Sequence, residues 1–176
     1  MEIGKVPNSV LEEIVLDKLK HNRSEVLLRP KVGEDCSAID FGDNICVLSS
    51  DPITGTVNEV GSLAVHVSCN DIASCGAEPV GLISTILLPA GTTEKELDTI
   101  MSQMSQAAAE LNVEIIGGHT EITNAVNRVV VTSTVLGKIT RDKLVTTSGA
   151  RPGDSIILTK WAGVEGSAII AGEKES

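Results

Sequence analysis

Hydrophobic and polar positions along the chain change their spacing several times, and each change marks an element. From Ser9 to about Lys20, Leu11, Ile14, Val15 and Leu19 recur at helical intervals, and Ser9 with Glu12 matches a capping box, so a helix is expected there. A polar stretch containing Pro30 follows. Cys36–Phe41 and Asn44–Ser50 read as strands, and Gly42-Asp43 between them suggests a hairpin. Pro52–Asn58 reads as loop, Gly61–Cys75 as helix, and Val80–Leu88 as a nearly continuous apolar strand closed by Pro89 and Gly91. Thr93 and Glu96 form a second capping pattern ahead of the stripe Leu97, Ile100, Met101, Met104, Ala108 and Leu111. Val113–Ile116 is expected to be a short strand that ends in a Gly117-Gly118 turn, and Val129–Leu136 another strand. Strands and helices in this order predict an α+β domain with α/β-type alternation.

The pattern changes near Thr147, which divides the chain into residues 1–147 and 148–176. In the second part, Arg151-Pro152-Gly153-Asp154 reads as a turn, Ser155–Thr159 as a strand, Gly163–Ala171 as a small-residue helix and Gly172–Ser176 as a polar tail. One strand and one helix cannot bury a core alone. The segment is therefore expected to open a second, truncated domain; the alternative is that it packs back on the first.

Composition narrows this picture. Phe41 and Trp161 are the only aromatic residues, so the core must be built from aliphatic side chains. The net charge of −10 disfavours nucleic acid and anionic membrane as partners. An anionic ligand such as ATP would need a local device: a bound metal, backbone amides or a few placed lysines. Met1–Lys20 lacks the apolar run and cleavage site of a signal peptide, and no stretch is long enough to span a bilayer, so a cytoplasmic protein is expected. Cys36, Cys46, Cys69 and Cys75 are not in CxxC spacing; buried free thiols are the favoured reading over a zinc site.

Four segments place polar groups among apolar neighbours: Gly33–Ala38, Ser49–Pro52, Asn70-Asp71 and Gly117–Glu121. Asp71 is the most informative. Ala64, Val67, Asp71 and Cys75 share one helix face that is otherwise apolar. An unpaired carboxylate there would cost on the order of several kcal/mol or be pushed toward its neutral form. Its partner is either an arginine or backbone amide, or a hard cation such as magnesium, with Asp35 and Asp51 at strand ends completing the set. Gly117-Gly118 permits close backbone approach to a ligand, and Thr120 with the local amides could bond phosphate. His119 reads as a metal ligand, phosphate donor or base, or as a loop histidine with one local bond. His66 reads as structural, His21 as a helix-end cation and Lys5 as a surface lysine. Walker A and GxGxxG sequences are absent.

These segments together resemble a known family. Ser68-Cys69-Asn70-Asp71-Ile72-Ala73-Ser74-Cys75-Gly76-Ala77-Glu78-Pro79 is similar to the N-D-L-A-x-x-G-A-x-P segment of the PurM-like, AIR synthase-related superfamily. That group includes aminoimidazole ribonucleotide synthetase, thiamine-monophosphate kinase, selenophosphate synthetase and the hydrogenase maturation factor HypE. Gly33-Glu34-Asp35-Cys36-Ser37-Ala38 resembles its G-D-D-A-A motif, Ser50-Asp51 its T-D, Gly117-Gly118-His119-Thr120-Glu121 its G-G-(D/E)-T and Pro152-Gly153-Asp154 its P-G-D. The order and spacing agree across about residues 5–172, and the Gly4-Lys5-Val6-Pro7 start with the Gly117–Glu121 segment looks closest to the HypE-like branch.

The resemblance implies a mixed sheet flanked by helices, whose strands pair across a homodimer into a β-barrel with ATP near the interface. It implies Asp35, Asp51 and Asp71 as magnesium ligands with Glu121 a further one, and Lys5, Asn70, Gly117, Gly118 and Thr120 near the phosphates. Asp71 and His119 would take part in catalysis. The implied reaction is ATP-dependent activation of a carbonyl or amide-type oxygen on a small-molecule or protein-borne acceptor, as in hydrogenase maturation. A thiamine-monophosphate-kinase-like phosphotransferase and a non-catalytic dimeric scaffold are the alternatives. Two positions depart from the family pattern: Glu34 stands for the first Asp of G-D-D, and His119 for an acidic residue.

Overall fold

The computed structural model describes residues 1–54, 57 and 59–175; the side chains of 165, 169 and 172–175 are outside the description. Its centre is a six-stranded mixed sheet in the order β1-β2-β3-β6-β4-β5. The strands are β1 (Val26–Leu28), β2 (Ser37–Asp40), β3 (Ile45–Thr54), β4 (Glu78–Pro89), β5 (Glu114–Thr123) and β6 (Val130–Ile139). All pairs are antiparallel except β4 with β5, which a helical crossover joins in parallel.

Two long helices, α2 (Val60–Ser74) and α3 (Glu94–Glu110), pack side by side on one face. The core between helices and sheet is aliphatic, with Val47, Val65, Ile72, Leu82, Ile100, Met104, Val131 and Val135 fully buried. Along β3 and β6 the burial alternates residue by residue, as a sheet with one covered face requires. The opposite face stays open: Leu48, Leu87 and Leu136 are half-buried there, and Ile83 is exposed.

α2 lies unusually close to the sheet. A Cβ added at Gly137 of β6 would stand 2.3 Å from Ile72 Cγ2, so no larger residue fits beneath the helix without displacing it. Its first turn has no side-chain cap; instead Gly61 N–H donates to Gln103 Oε1 of α3 at 3.1 Å, and Gln103 Nε2 donates to the Val57 carbonyl at 3.0 Å. This supplies one of the helix-end donors with a partner from the neighbouring helix.

Several expectations hold. The β2–β3 hairpin turns at Gly42, α3 carries the Thr93–Glu96 capping box, and Arg151–Asp154 is a turn closed by Asp154 N–H to the Arg151 carbonyl at 3.0 Å. Others are corrected. The first helix is irregular: α1 (Asn8–Val10) passes through a π-helical Leu11–Val15 into a 3-10 turn at Leu16–Lys18. It begins after Pro7 rather than at Ser9, and no Ser9–Glu12 capping box forms. β1 lies in the stretch read as merely polar.

Pro52 is not in a loop, because β3 continues through Thr54 against β6. β2 stops at the Ser37–Leu48 pair, so from Ser49 onward β3 has a neighbour on one side only, where a residue without an N–H is tolerated. The rest of that expected loop, Gly55, Thr56 and Asn58, lies outside the described residues. Ser155–Thr159 forms no strand: no sheet edge reaches it, and Ile156 is 99% exposed. The helix expected at Gly163–Ala171 is α4 (Val164–Glu175), which takes up most of the expected tail; Ser176 lies outside the described residues. No helix among the described residues is long and apolar enough to cross a membrane.

Gly137→Ala should lower stability in urea unfolding by about 1–3 kcal/mol, the usual cost of overfilling a packed contact. An unchanged midpoint would show that α2 does not rest on β6 as closely as described.

Candidate functional site

The carboxylates come together where α2 crosses β3. Asp51 occupies a helix-facing position of β3, two residues beyond the buried Ser49. Asp71 projects from the last full turn of α2, on the flank of its buried stripe. Ser49 Oγ lies 2.8 Å from Asp71 Oδ2 and 3.2 Å from the backbone carbonyl of Asp35. The Cys36 thiol points to the Asp71 carbonyl at 3.3 Å. Three segments distant in sequence are thus stitched into one corner.

Burial raises the Asp71 carboxyl to about 6; the Ser49 hydroxyl opposes the rise, while Asp51 within hydrogen-bonding reach and the charge of Asp35 add to it. Of the two alternatives, an arginine or amide partner is not found for the Asp71 carboxylate among the described residues; a neutral hydroxyl and two like charges surround it. Such a corner attracts cations. Among the described residues no three His, Cys, Asp or Glu side chains converge tightly enough to cage a metal unaided. Magnesium does not require a cage: one or two carboxylates with water and phosphate oxygens suffice, so the hard oxygen donors here fit it. Burial also pushes the Cys36 thiol up, with Cys75 beside it adding to the shift, and Cys69 up to about 11, so these cysteines stay protonated.

The other expected site residues sit elsewhere. β5 runs ten residues, so Gly117 and Gly118 are inside a strand and not in a turn. The parallel ladder with β4 continues through them, and a Cβ on Gly118 would stand 2.0 Å from the Ser84 carbonyl oxygen. The close approach Gly118 permits is therefore to β4 itself. Asp51, Ser133, Ser84 and Gly118 form one row across the sheet. Its ends are three inter-strand steps apart, about 14 Å.

His119 and Glu121 alternate with Gly118 and Thr120 and share the open face with their neighbours Thr85 and Leu87. Their side chains meet at 3.0 Å. Thr120 and Glu121 line a cleft of about 240 Å³ with Thr93, Leu97 and Ile122 beside the start of α3. A second cleft of about 270 Å³, between Phe41, Cys46, Val80 and Leu136, is apolar and remote from the carboxylates. Asn70 is exposed next to Asp71, and Lys5 lies in the exposed N-terminal segment with no ion pair among the described residues.

Ser49 reads in the sequence as part of the polar segment Ser49–Pro52, and its role as the partner of Asp71 is new. The only signal for it was its place two residues before Asp51 in a period-two strand, which puts both on one face. Glu34 Oε2 accepts from Thr147 Oγ1 at 2.7 Å and has Lys31 Nζ at 3.6 Å, so that oxygen has partners other than a metal.

The N-terminal domain of AIR synthase related proteins matches residues 33–139, more than half of the chain, and that span contains every carboxylate of the corner. The chain belongs to the AIR synthase-related family. Within this family it is 36% identical over 115 residues to the carbamoyl dehydratase HypE of Cupriavidus necator, covering 64% of the chain and 33% of that protein. A solved HypE–HypF complex matches 82% of the chain and 47% of its counterpart at a TM-score of 0.66 and 25% identity. HypE solved in complex with ATP matches 85% and 45% at a TM-score of 0.59 and 25% identity. The chain spans about half the length, or less, of the curated AIR synthase-related proteins it matches.

The raised Asp71 carboxyl has a sign that can be measured. In the folded chain it keeps a proton up to about pH 6, whereas an ordinary aspartate releases it near 3.8. The stability contributed by that proton is complete below about pH 4 and is lost as pH rises through 6. Asp71→Asn, which cannot ionise, should therefore gain on the wild type between pH 4 and 7. The expected gain is about 1 kcal/mol, allowing for solvent screening of a half-exposed group, in metal-free urea unfolding. A pH-independent difference would contradict the clustered geometry.

Proposed function

We propose that this chain is the Mg-ATP-binding half of a HypE-like enzyme that activates a carbonyl or amide-type oxygen by phosphorylation. The observation that carries the reading is the corner of Asp35, Asp51 and Asp71, in a chain related to a HypE that has been solved with ATP. Three carboxylates, one of them raised by burial and by its neighbours, are costly without a cation. Asp71 and Asp51, with Asp35 beside them, would hold magnesium; bound there, it would neutralise the phosphates and charge developing on the transferred phosphoryl group.

This chain's own residues bind and orient. Ser49 holds Asp71 toward Asp51, and Asn70 offers an amide at the exposed rim. The β5 segment Gly117–Thr120 supplies small residues and a hydroxyl at the far end of the same sheet row, where the phosphate tail would be bounded. His119 and Glu121, which pair with each other on the opposite face of the sheet, are not assigned to the ion or the phosphates in this reading. Lys5, in the exposed N-terminal segment, is the lysine this reading assigns to the phosphates. In this reading residues 1–147 form the nucleotide domain and residues 148–176 begin the acceptor domain. The HypE–HypF complex makes a protein-borne acceptor a natural extension.

Millimolar Mg-ATP should raise the melting temperature of the purified protein by several degrees, through mass-action stabilisation of about 2.7 kcal/mol at a hundredfold excess over Kd. Asp71→Asn should remove the shift. A wild type indifferent to Mg-ATP would sink the reading in favour of a non-catalytic scaffold.

The open face supports a homodimer. Leu48 and Leu136 are register partners there, with Thr85, Leu87, Thr132 and Thr134 around them, all half-buried. A second copy closing this face would complete a barrel. Leu48→Asp with Leu136→Asp should convert a dimer to a monomer in sedimentation; a wild type that is already monomeric at tens of micromolar would refute the dimer.

A further inference from the structure

Glu34 is a charged side chain only 1% exposed. It stands one residue before Asp35, yet its Oε2 accepts from Thr147 Oγ1 at 2.7 Å, across a separation of 113 residues. Lys31 Nζ stands 3.6 Å from the same oxygen, and Lys31 is itself largely exposed. A carboxylate held by one hydroxyl and an ammonium 3.6 Å away, on partners that are both exposed, adds little stability. Its placement is informative because of what Thr147 belongs to.

After β6 the chain makes a 3-10 turn at Arg141–Lys143 and then runs as a strap past the C-terminal end of α2. Leu144 packs against the core. Val145 N–H donates to the Cys75 carbonyl at the end of α2 at 3.0 Å. The Lys143 carbonyl and a Val145 methyl sit within 3.2 and 3.6 Å of where a Cβ on Gly76 would be. Two residues on, Thr147 reaches Glu34. The strap is therefore tied first to the helix that carries Asp71 and then to the loop that carries Asp35. Those segments are already joined to each other by the Cys36 thiol on the Asp71 carbonyl and by Ser49 between Asp71 and the Asp35 carbonyl. Beyond Ser148 no comparable tie to the first domain is formed among the described residues, and Ile156, Ile157 and Leu158 are exposed.

We propose that Glu34 is a positioning residue: through Thr147 it clamps the strap Val145–Thr147 to the Asp35 loop, so that the carboxylate corner and the point where the chain leaves the first domain are set together. The inference rests on the Mg-ATP reading for its functional consequence but not for the clamp itself. The extra methylene of glutamate, relative to the aspartate of the family motif, lets the carboxylate turn away from the corner and reach the strap.

Two measurements test it. In the ligand-free protein, backbone amides of Val145–Ser148 should exchange with solvent at least about tenfold faster in Thr147→Val than in Thr147→Ser, which keeps the hydroxyl; equal exchange overturns the clamp. At fixed ATP, the magnesium concentration giving half of the thermal shift should rise about fivefold in Thr147→Val and in Glu34→Ala. It should stay near wild type in Thr147→Ser and in Glu34→Gln, which retains an acceptor. The double variant Glu34→Ala/Thr147→Val should be no worse than the worse single one, because both remove one contact. Additive losses, or a half-point unmoved in Thr147→Val, overturn the coupling. If the wild type shows no Mg-ATP shift at all, the nucleotide reading fails, while the exchange measurement still decides the clamp.

Discussion

The close seating of α2 on the sheet is the contact on which the rest depends. Asp71 reaches β3 because nothing larger than hydrogen at Gly137 separates Ile72 from β6. Along the same helix Ser68 Oγ donates to the Ser133 carbonyl at 3.4 Å, and Ser133 shares a hydrogen bond with Ser84 at 2.8 Å. Small residues at the interface let the backbones approach, and the buried hydroxyls find partners in the process. A bulkier interface would lift α2 and separate Asp71 from Ser49 and Asp51.

The electrostatics follow from that seating. Burial and two neighbouring carboxylates raise Asp71, and a single hydroxyl, itself shared with the Asp35 carbonyl, is its partner. The folded chain carries an unfavourable concentration of negative charge at one corner, which a divalent cation with phosphate ligands would relieve. The local cost and the proposed function have the same origin: sites that bind a charged ligand are left uncompensated without it. The strap from Leu144 to Thr147 and Glu34 follow the same logic, since Glu34 ties the strap to the Asp35 loop while its Oε2 is turned to Thr147.

Much of the architecture was legible along the chain. The spacing of Leu97, Ile100, Met101 and Met104 with the Thr93 cap identified α3, and the Gly42-Asp43 turn identified the β2–β3 hairpin, because these depend on residues close in sequence. Two of the misreadings share one cause. Pro52 and Gly117-Gly118 are local breakers, and both lie inside strands, because a neighbouring strand supplies the ladder that their local preference argues against. Ser155–Thr159 has the opposite fate: strand-like in composition, it has no edge to join.

By itself the sequence determined the family, the aliphatic core, the helix bearing Asp71 and the identity of the three carboxylates, since motif order and helical periodicity are properties of a linear chain. The tertiary structure decided which of those residues meet. It tied Asp71 to the Asp35 loop through Ser49, beside Asp51, set His119 and Glu121 on the opposite face of the sheet, placed Gly118 three strands away, and turned Glu34 toward Thr147. Those outcomes depend on strand order, register and the depth of a helix on its sheet, and no stretch of sequence carries them alone.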